Sequence, residues 1–406
     1  MSERKIGIWL IGAFGSVSTA VILGALAVRK GLVDSTGMIT ACGPFQRLGL
    51  VPVEELEFGG CDIRHGSLRD AAHLIARDAG SIAPAAVIEL DKDLALIERE
   101  IRPGTVRNCG EIIGKLAAGP SCCSIDAREE IAQVTGCIKD FKAAKGLQEV
   151  VVINLASTEP YCELREYHAD LSAFETYLDR KGGQEVPAST IYAYAAIQEG
   201  CPYINFTPSG GALFPAMVQL AEKNRVPVMG NDGKTGETLV KSALAPMFLC
   251  RNLEVLSWEG FNILGNMDGQ VLDHPQNRES KIQTKGNVLS KILGYDPHSR
   301  VHIDYVPSLC DQKTAWDFIH FRGFLGSKMS LQFVWQGYDS LLAAPLVLDL
   351  VRFAELAKRR SEAGLMKHLA CYFKDPIGVD EHRLYEQYRM LLDYADPSPS
   401  PSPNPK

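Results

Sequence analysis

The sequence predicts an α/β protein built on a doubly wound parallel sheet. Three observations carry that prediction: an uncharged opening that breaks into strand, glycine turn and helix; apolar strand runs alternating with helical segments; and polar loops that repeatedly follow the strands. At 406 residues the chain is long enough for two or three domains of about 150 residues each. With 46% hydrophobic and 22% charged residues it has the composition of a globular protein able to bury a core. Its formal charge of −7 argues against nucleic acid as a partner, since neutralising phosphates needs a basic stripe.

The first element is the hardest to read. Ile6 to Val28 carries no charge over 23 residues, long enough to span a membrane, and Ala25-Leu26-Ala27 imitates a signal-peptidase site. A buried strand, turn and helix fits the details better. Ile6–Ile11 suits a buried parallel strand, residues 12–19 interrupt it with Gly12 and Gly15, and Ala20–Val28 is helix-forming up to Arg29-Lys30-Gly31. A glycine turn feeding a helix N-terminus presents backbone N–H groups to a pyrophosphate. The third glycine of the dinucleotide pattern is replaced by Ser18, and Asp34 is the only acidic residue near the spacing expected for a ribose ligand.

Later strands follow in order. Ala86–Leu90 is a weak strand candidate, whereas Glu149–Leu155 is a clear one that runs into the polar Ala156-Ser157-Thr158-Glu159. Tyr203–Phe206 and Val226–Met229 lead into Thr207–Gly211 and Gly230–Gly236. Such loops mark the carboxyl edge of a sheet, where ligands bind. The 230–236 loop precedes a helical stretch, Glu237 to Met247, and its amides, Lys234 and Thr235 suit a phosphate; the plainer reading is a solvated turn. Period-two runs near Glu254–Ser257, Ile303–Val306 and Leu331–Val334 read as strands, and Ser340–Leu356 as an apolar helix. The eleven scattered cysteines, with no Cys-x-x-Cys, read as reduced structural thiols. His298 and His302 have helical ligand spacing, but the strand-like residues between them argue against a shared helical face.

Eight ordered motifs resemble the myo-inositol-1-phosphate synthase family, in particular its shorter archaeal and bacterial branch. They lie at residues 12–19, 58–64, 154–159, 230–236, 262–269, 280–285, 311–313 and 339–345, and the correspondence runs from residue 6 to about 390. The resemblance implies an enzyme that isomerises D-glucose 6-phosphate to 1L-myo-inositol 1-phosphate, feeding inositol and phospholipid synthesis. NAD would be held as cofactor, being reduced and reoxidised within one turnover. Such chemistry moves protons and develops negative oxygens, which calls for lysines in a water-poor pocket.

By the same resemblance the catalytic residues are Lys281, Lys285, Lys313 and Lys374, with Asp268, Asp311 and Asp339. Lys281 and Lys374 are expected to transfer protons at carbons 5 and 6 and to stabilise the enolate, and Lys313 and Lys285 to neutralise the oxyanion and the phosphate. NAD falls to Gly12, Ala13, Phe14, Gly15, Ser16 and Ser18, to Asp62 in place of Asp34, and to Ala156, Ser157, Thr158 and Asp232. Substrate falls to Thr235, Gly236, Leu264 and Asn266. A divalent or monovalent cation is implied, with no residues assigned to hold it.

The implied architecture is a Rossmann-like domain at 1–248, an inserted α+β catalytic and tetramerisation domain at 249–338, a return at 339–392, and a disordered Ser/Pro tail at 393–406. A cytoplasmic homotetramer with no membrane contact follows. Two departures, the Gly-Asn-Asp-Gly-Lys-Thr-Gly loop and Met267 in the Asn-x-Asp loop, leave two alternatives open. One is a related carbocyclase acting on another sugar phosphate; the other is a non-catalytic NAD-binding homologue.

Overall fold

A computed structural model describes residues 4–118, 126–181, 183–272 and 288–396. The uncharged opening becomes β1 (Ile6–Ile11), a turn, and the helix Ser16–Arg29, which starts four residues earlier than its helix-forming run. Among the described residues no helix is long and apolar enough to cross a membrane.

Seven parallel strands form the main sheet. Besides β1 they are β2 (Leu56–Asp62), β3 (Ile101–Pro103), β4 (Glu149–Asn154), β5 (Tyr203–Asn205), β6 (Pro227–Gly230) and β11 (Gly364–Leu365), in the order β11-β6-β5-β4-β1-β2-β3. Both faces are covered, which is why the strands read as apolar runs without alternation. Ile8 and Leu10 of β1 enter one core with Val21, Val347 and Val351. Trp9 and Ile11 enter the opposite core with Phe141, Ile138 and Ile191. Ala86–Leu90 belongs to neither sheet: it lies inside the helix Pro84–Glu98, started by Pro84 at its first turn, and buries only Val87 and Leu90.

The helix Gly236–Cys250 leads out of this sheet into a second one. It contains β7 (Glu254–Leu264), β8 (His298–Tyr305), β9 (Gln312–Arg322) and β10 (Lys328–Tyr338), in the order β10-β9-β7-β8. His298 and His302 stand on β8, both reaching Glu259 of β7, at 3.0 and 3.5 Å. The helix Asp339–Arg359 then returns the chain, and β11 pairs in parallel with β6. The last helix, Leu384–Ala395, takes in residues 393–395, which the expected tail had included.

Candidate functional site

The carboxyl ends of β1, β2, β4, β5 and β6 open into one cleft, lined on its far side by Asn266, Met267 and Asp311 from the connections of the second sheet and by the start of helix Asp339–Arg359. Its lining combines Gly12, Gly15, Ser16, Asp62, Ala156, Ser157, Thr158 and Asp232 with Thr235, Asn266, Asp311, Asp339 and Lys374. Candidates spread over more than 350 positions of sequence thus meet in one place.

The glycine turn shows why these residues are needed there. Gly12 has φ +82°, and a Cβ on it would stand 2.9 Å from Ala156 Cα, so only glycine fits between β1 and the loop after β4. The amides of Gly12 and Ala13 are bound by Cys61 O, and that of Phe14 by Asp62 Oδ2 at 2.8 Å. Helix Ser16–Arg29 has Gly15 as its N-cap, no side-chain cap and no acidic residue in its first turn. Its first amides therefore remain for an anion. This cradle, with Asp62 at the end of β2, fits NAD.

Ser18, Ala13 and Phe14, expected as cofactor contacts, do not line the cleft. Ser18 is buried behind the turn, where its hydroxyl donates to Gly12 O at 2.8 Å and fixes the glycine's carbonyl. Ala13 and Phe14 do not line the cleft; their backbone amides hold the turn to β2. Asp34 sits in an exposed loop, accepting from Thr36 N.

The 230–236 loop divides its side chains. Asp232, Gly233 and Thr235 face the cleft, but Lys234 turns away and donates to Gln387 Oε1, so it is not placed to hold a phosphate in the cleft. The cause is an antiparallel pairing with residues 372–375: Lys234 N binds Tyr372 O, Lys374 N binds Asp232 O at 2.7 Å, and Asn231 N binds Asp375 O. This pairing carries Lys374 Nζ to 2.9 Å from Asp232 Oδ1, with both side chains nearly inaccessible. Asp232, expected beside the cofactor, is therefore also the partner of a lysine.

Across the cleft Lys313 Nζ lies 3.0 Å from Asp339 Oδ2. Gly236, with φ +52°, starts its helix beside that pair, 3.7 Å separating its Cβ position from Lys313 Nζ. Asp311 accepts from Asn266 Nδ2 at 3.2 Å and from the Ser340 hydroxyl, and burial pushes its carboxyl above the usual range. Leu264 does not line the cleft; it packs with Leu272 and Ile303. Lys281 and Lys285 lie outside the described residues, as does the side chain of Asp268. Among the described residues no three His, Cys, Asp or Glu side chains gather to hold a metal ion.

Sequence reasoning missed the row of asparagines beneath the cleft. Asn154 and Asn205 end β4 and β5, and Asn231 follows β6. Asn205 Nδ2 donates to Asn231 Oδ1 at 2.7 Å, and Asn154 Oδ1 receives Ala156 N at 3.1 Å. Each apolar strand run ends in or runs into an asparagine, a signal present in the sequence.

Glu159 was also missed. Its carboxylate receives Ser189 N at 2.9 Å and the Ser189 hydroxyl, capping the helix Ala188–Gln198, which has no cap of its own. Burial raises its pKa from the ordinary 4.5 to about 7. Between those values the folded chain binds more protons than the unfolded one, so this stabilising contribution is complete below pH 4.5 and is lost as pH rises through 7. Glu159→Gln is expected to flatten the melting temperature against pH in that window, leaving the slopes due to Asp349, which burial raises to about 6, and, with opposite sign, to His368 and His382, which burial lowers to about 4. Identical slopes in thermal melts of the two proteins would refute this.

A family model described as myo-inositol-1-phosphate synthase matches residues 6–395. Inositol-3-phosphate synthase 1 of Bacteroides thetaiotaomicron is 34% identical, over 95% of this chain and 94% of that one. The crystal structure of inositol-3-phosphate synthase from Caenorhabditis elegans superposes with a TM-score of 0.85 at 25% identity, covering 97% of this chain and 85% of that one. A myo-inositol-1-phosphate synthase-related protein from Thermotoga maritima gives 0.78 at 25% identity, covering 97% and 98%.

Proposed function

This chain belongs to the myo-inositol-1-phosphate synthase family, and from that premise we propose that it converts D-glucose 6-phosphate to 1L-myo-inositol 1-phosphate by intramolecular aldol cyclisation. The observation that carries the reading is the single cleft in which the glycine cradle, the Lys374–Asp232 pair and the Asp311–Asp339 wall converge. NAD, when bound, supplies an acceptor for the hydride of carbon 5 and its donor on return.

The residues of the chain do the rest. A carboxylate beside a lysine favours its charged form. Lys374, 2.9 Å from Asp232, and Lys313, 3.0 Å from Asp339, are placed as N–H donors to oxygens that become negative as carbon 5 is oxidised and carbon 6 deprotonated. The bases that take the carbon 5 hydroxyl proton, as its hydride leaves, and the carbon 6 proton then fall to Lys281 and Lys285. The sugar phosphate is assigned to the uncapped start of helix Gly236–Cys250, beside Thr235, Lys313 and Asn266. Glu237 in that first turn is neutralised by a buried ion pair with Lys241.

The test is incubation of the purified protein with NAD and glucose 6-phosphate, read by phosphorus NMR. Inositol monophosphate is expected. Met267, which lines the cleft with 37% of its surface exposed, motivates a second reading, a carbocyclase for a ketose or heptulose phosphate. Cyclisation of such a substrate, with none from glucose 6-phosphate, rejects the first reading.

The proposal extends to a cytoplasmic homotetramer, with residues 249–338 as the inserted catalytic and assembly domain. Its support is the outer face of the second sheet, where His302 stacks on Phe261 at 4.4 Å, Phe261 on Trp316 at 5.0 Å, and Val334 is 62% exposed. Such a face is an interface in search of a partner. A single species of four-chain mass in sedimentation is the expected result. A cation, divalent or monovalent, stays in the proposal on family resemblance alone, and no step is drawn through it.

A further inference from the structure

Behind the 230–236 loop lies a second cavity, of about 870 Å³. Its wall is mostly apolar: Leu239 and Leu249 come from helix Gly236–Cys250, Leu342 and Leu346 from helix Asp339–Arg359, and Trp335 and Tyr388 close it. Lys234, a residue 3% exposed, lines this wall, and its ammonium donates to Gln387 Oε1. Among the described residues no carboxylate oxygen lies within 4.0 Å of it. The other charged residues of the wall are already paired, Arg383 with Glu381 and Glu386 with Arg389. The Cys371 thiol, pushed up to about 12 by burial, adds no charge.

A buried ammonium with no carboxylate in contact is expensive, and burial draws the Lys234 pKa down to about 8 against the opposing pull of nearby Glu381. An apolar chamber of this size with one convergent charge has the form of a small-molecule site. We propose that the cavity binds an amphiphilic carboxylate of the medium-chain fatty-acid type, its head on Lys234 and its chain between the two helices. Of the residues assigned to the substrate, Thr235 and Gly236 also line it; the glycine cradle, Asp232, Asp311 and Lys374 do not.

Both walls begin at the cleft: Gly236 and Asp339 are the first residues of the two helices. A chain wedged between them bears on the same helix starts, so occupancy is expected to raise the KM for glucose 6-phosphate several-fold. That coupling rests on the proposed substrate; the binding does not.

The probe is decanoate, titrated by calorimetry into the full chain with its NAD and without sugar. One saturable site per chain is expected, with 1-decanol at least tenfold weaker. Lys234→Met should weaken decanoate at least tenfold, and Leu342→Trp, which fills the chamber, should abolish binding; bound NAD and the thermal transition report that each variant is folded. Equal affinity for decanoate and decanol in the unmodified protein overturns the proposal without any variant. So does decanoate binding that survives Leu342→Trp. Absence of decanoate binding, together with an altered assembly mass for Leu342→Trp, assigns the face to a second copy and also overturns it. Binding with an unchanged KM removes the coupling alone.

Discussion

Lys374→Met is expected to lower formation of inositol monophosphate from glucose 6-phosphate by about 100- to 1000-fold, the range lost with one donor to a developing oxyanion, while NAD stays bound. The geometry separates the two effects: Lys374 meets Asp232 at 2.9 Å on the loop after β6, whereas the glycine cradle stands at the end of β1. The substitution also has a structural effect. Asp232, 4% exposed at its side chain, keeps its charge but loses this ammonium, and breaking such a pair from one side costs about 3–5 kcal/mol. The double variant Lys374→Met/Asp232→Asn removes both charges and should regain much of that stability without regaining turnover. Phosphorus NMR and thermal melts on the three proteins read the two effects apart. Turnover within tenfold of the unmodified enzyme, in either variant, would remove Lys374 from the catalytic set.

Gly12→Val is expected to yield a folded protein that carries almost no NAD. At φ +82° a β-branched residue is strained by about 1–3 kcal/mol. Its Cβ also meets Ala156 Cα at 2.9 Å, which is backbone and cannot swing aside. The turn must shift, and the uncapped start of helix Ser16–Arg29 moves with it. Absorbance of copurified cofactor measures the loss, and added NAD should restore little turnover. Ser18→Ala makes a graded comparison, since it removes only the hydrogen bond to Gly12 O, worth about 1 kcal/mol. NAD affinity should fall roughly five- to tenfold. A Gly12→Val protein with full NAD content would show that the turn is not the cofactor's cradle.

Local elements were legible wherever one physical preference acted alone. The strand, turn and helix at the start could be read because buried parallel strands are apolar on both faces and glycine is needed at a left-handed turn. Ala86–Leu90 misled for a related reason. Five apolar-rich residues suit a buried strand as well as a helix, and Pro84, which starts the helix, lies just before them. Beneath the cleft, Asn154, Asn205 and Asn231 were visible as letters, but their mutual bonding needs β4, β5 and β6 in adjacent register.

What the sequence by itself determined is the kind of protein: a sheet with polar carboxyl-edge loops, a glycine cradle, and motifs whose order identifies the family. Tertiary structure alone decided which charge faces which. Asp232 and Lys374 are 142 positions apart, and only the antiparallel pairing of their loops brings the carboxylate and the ammonium together. With Asp232 left-handed at φ 58°, the alternation of that pairing is broken, and Lys234, two residues along, turns to the opposite side of the loop and into another chamber. Side-chain direction in an irregular loop follows from what that loop hydrogen-bonds to, and the partner strand, residues 372–375, lies far outside any window a local pattern can read.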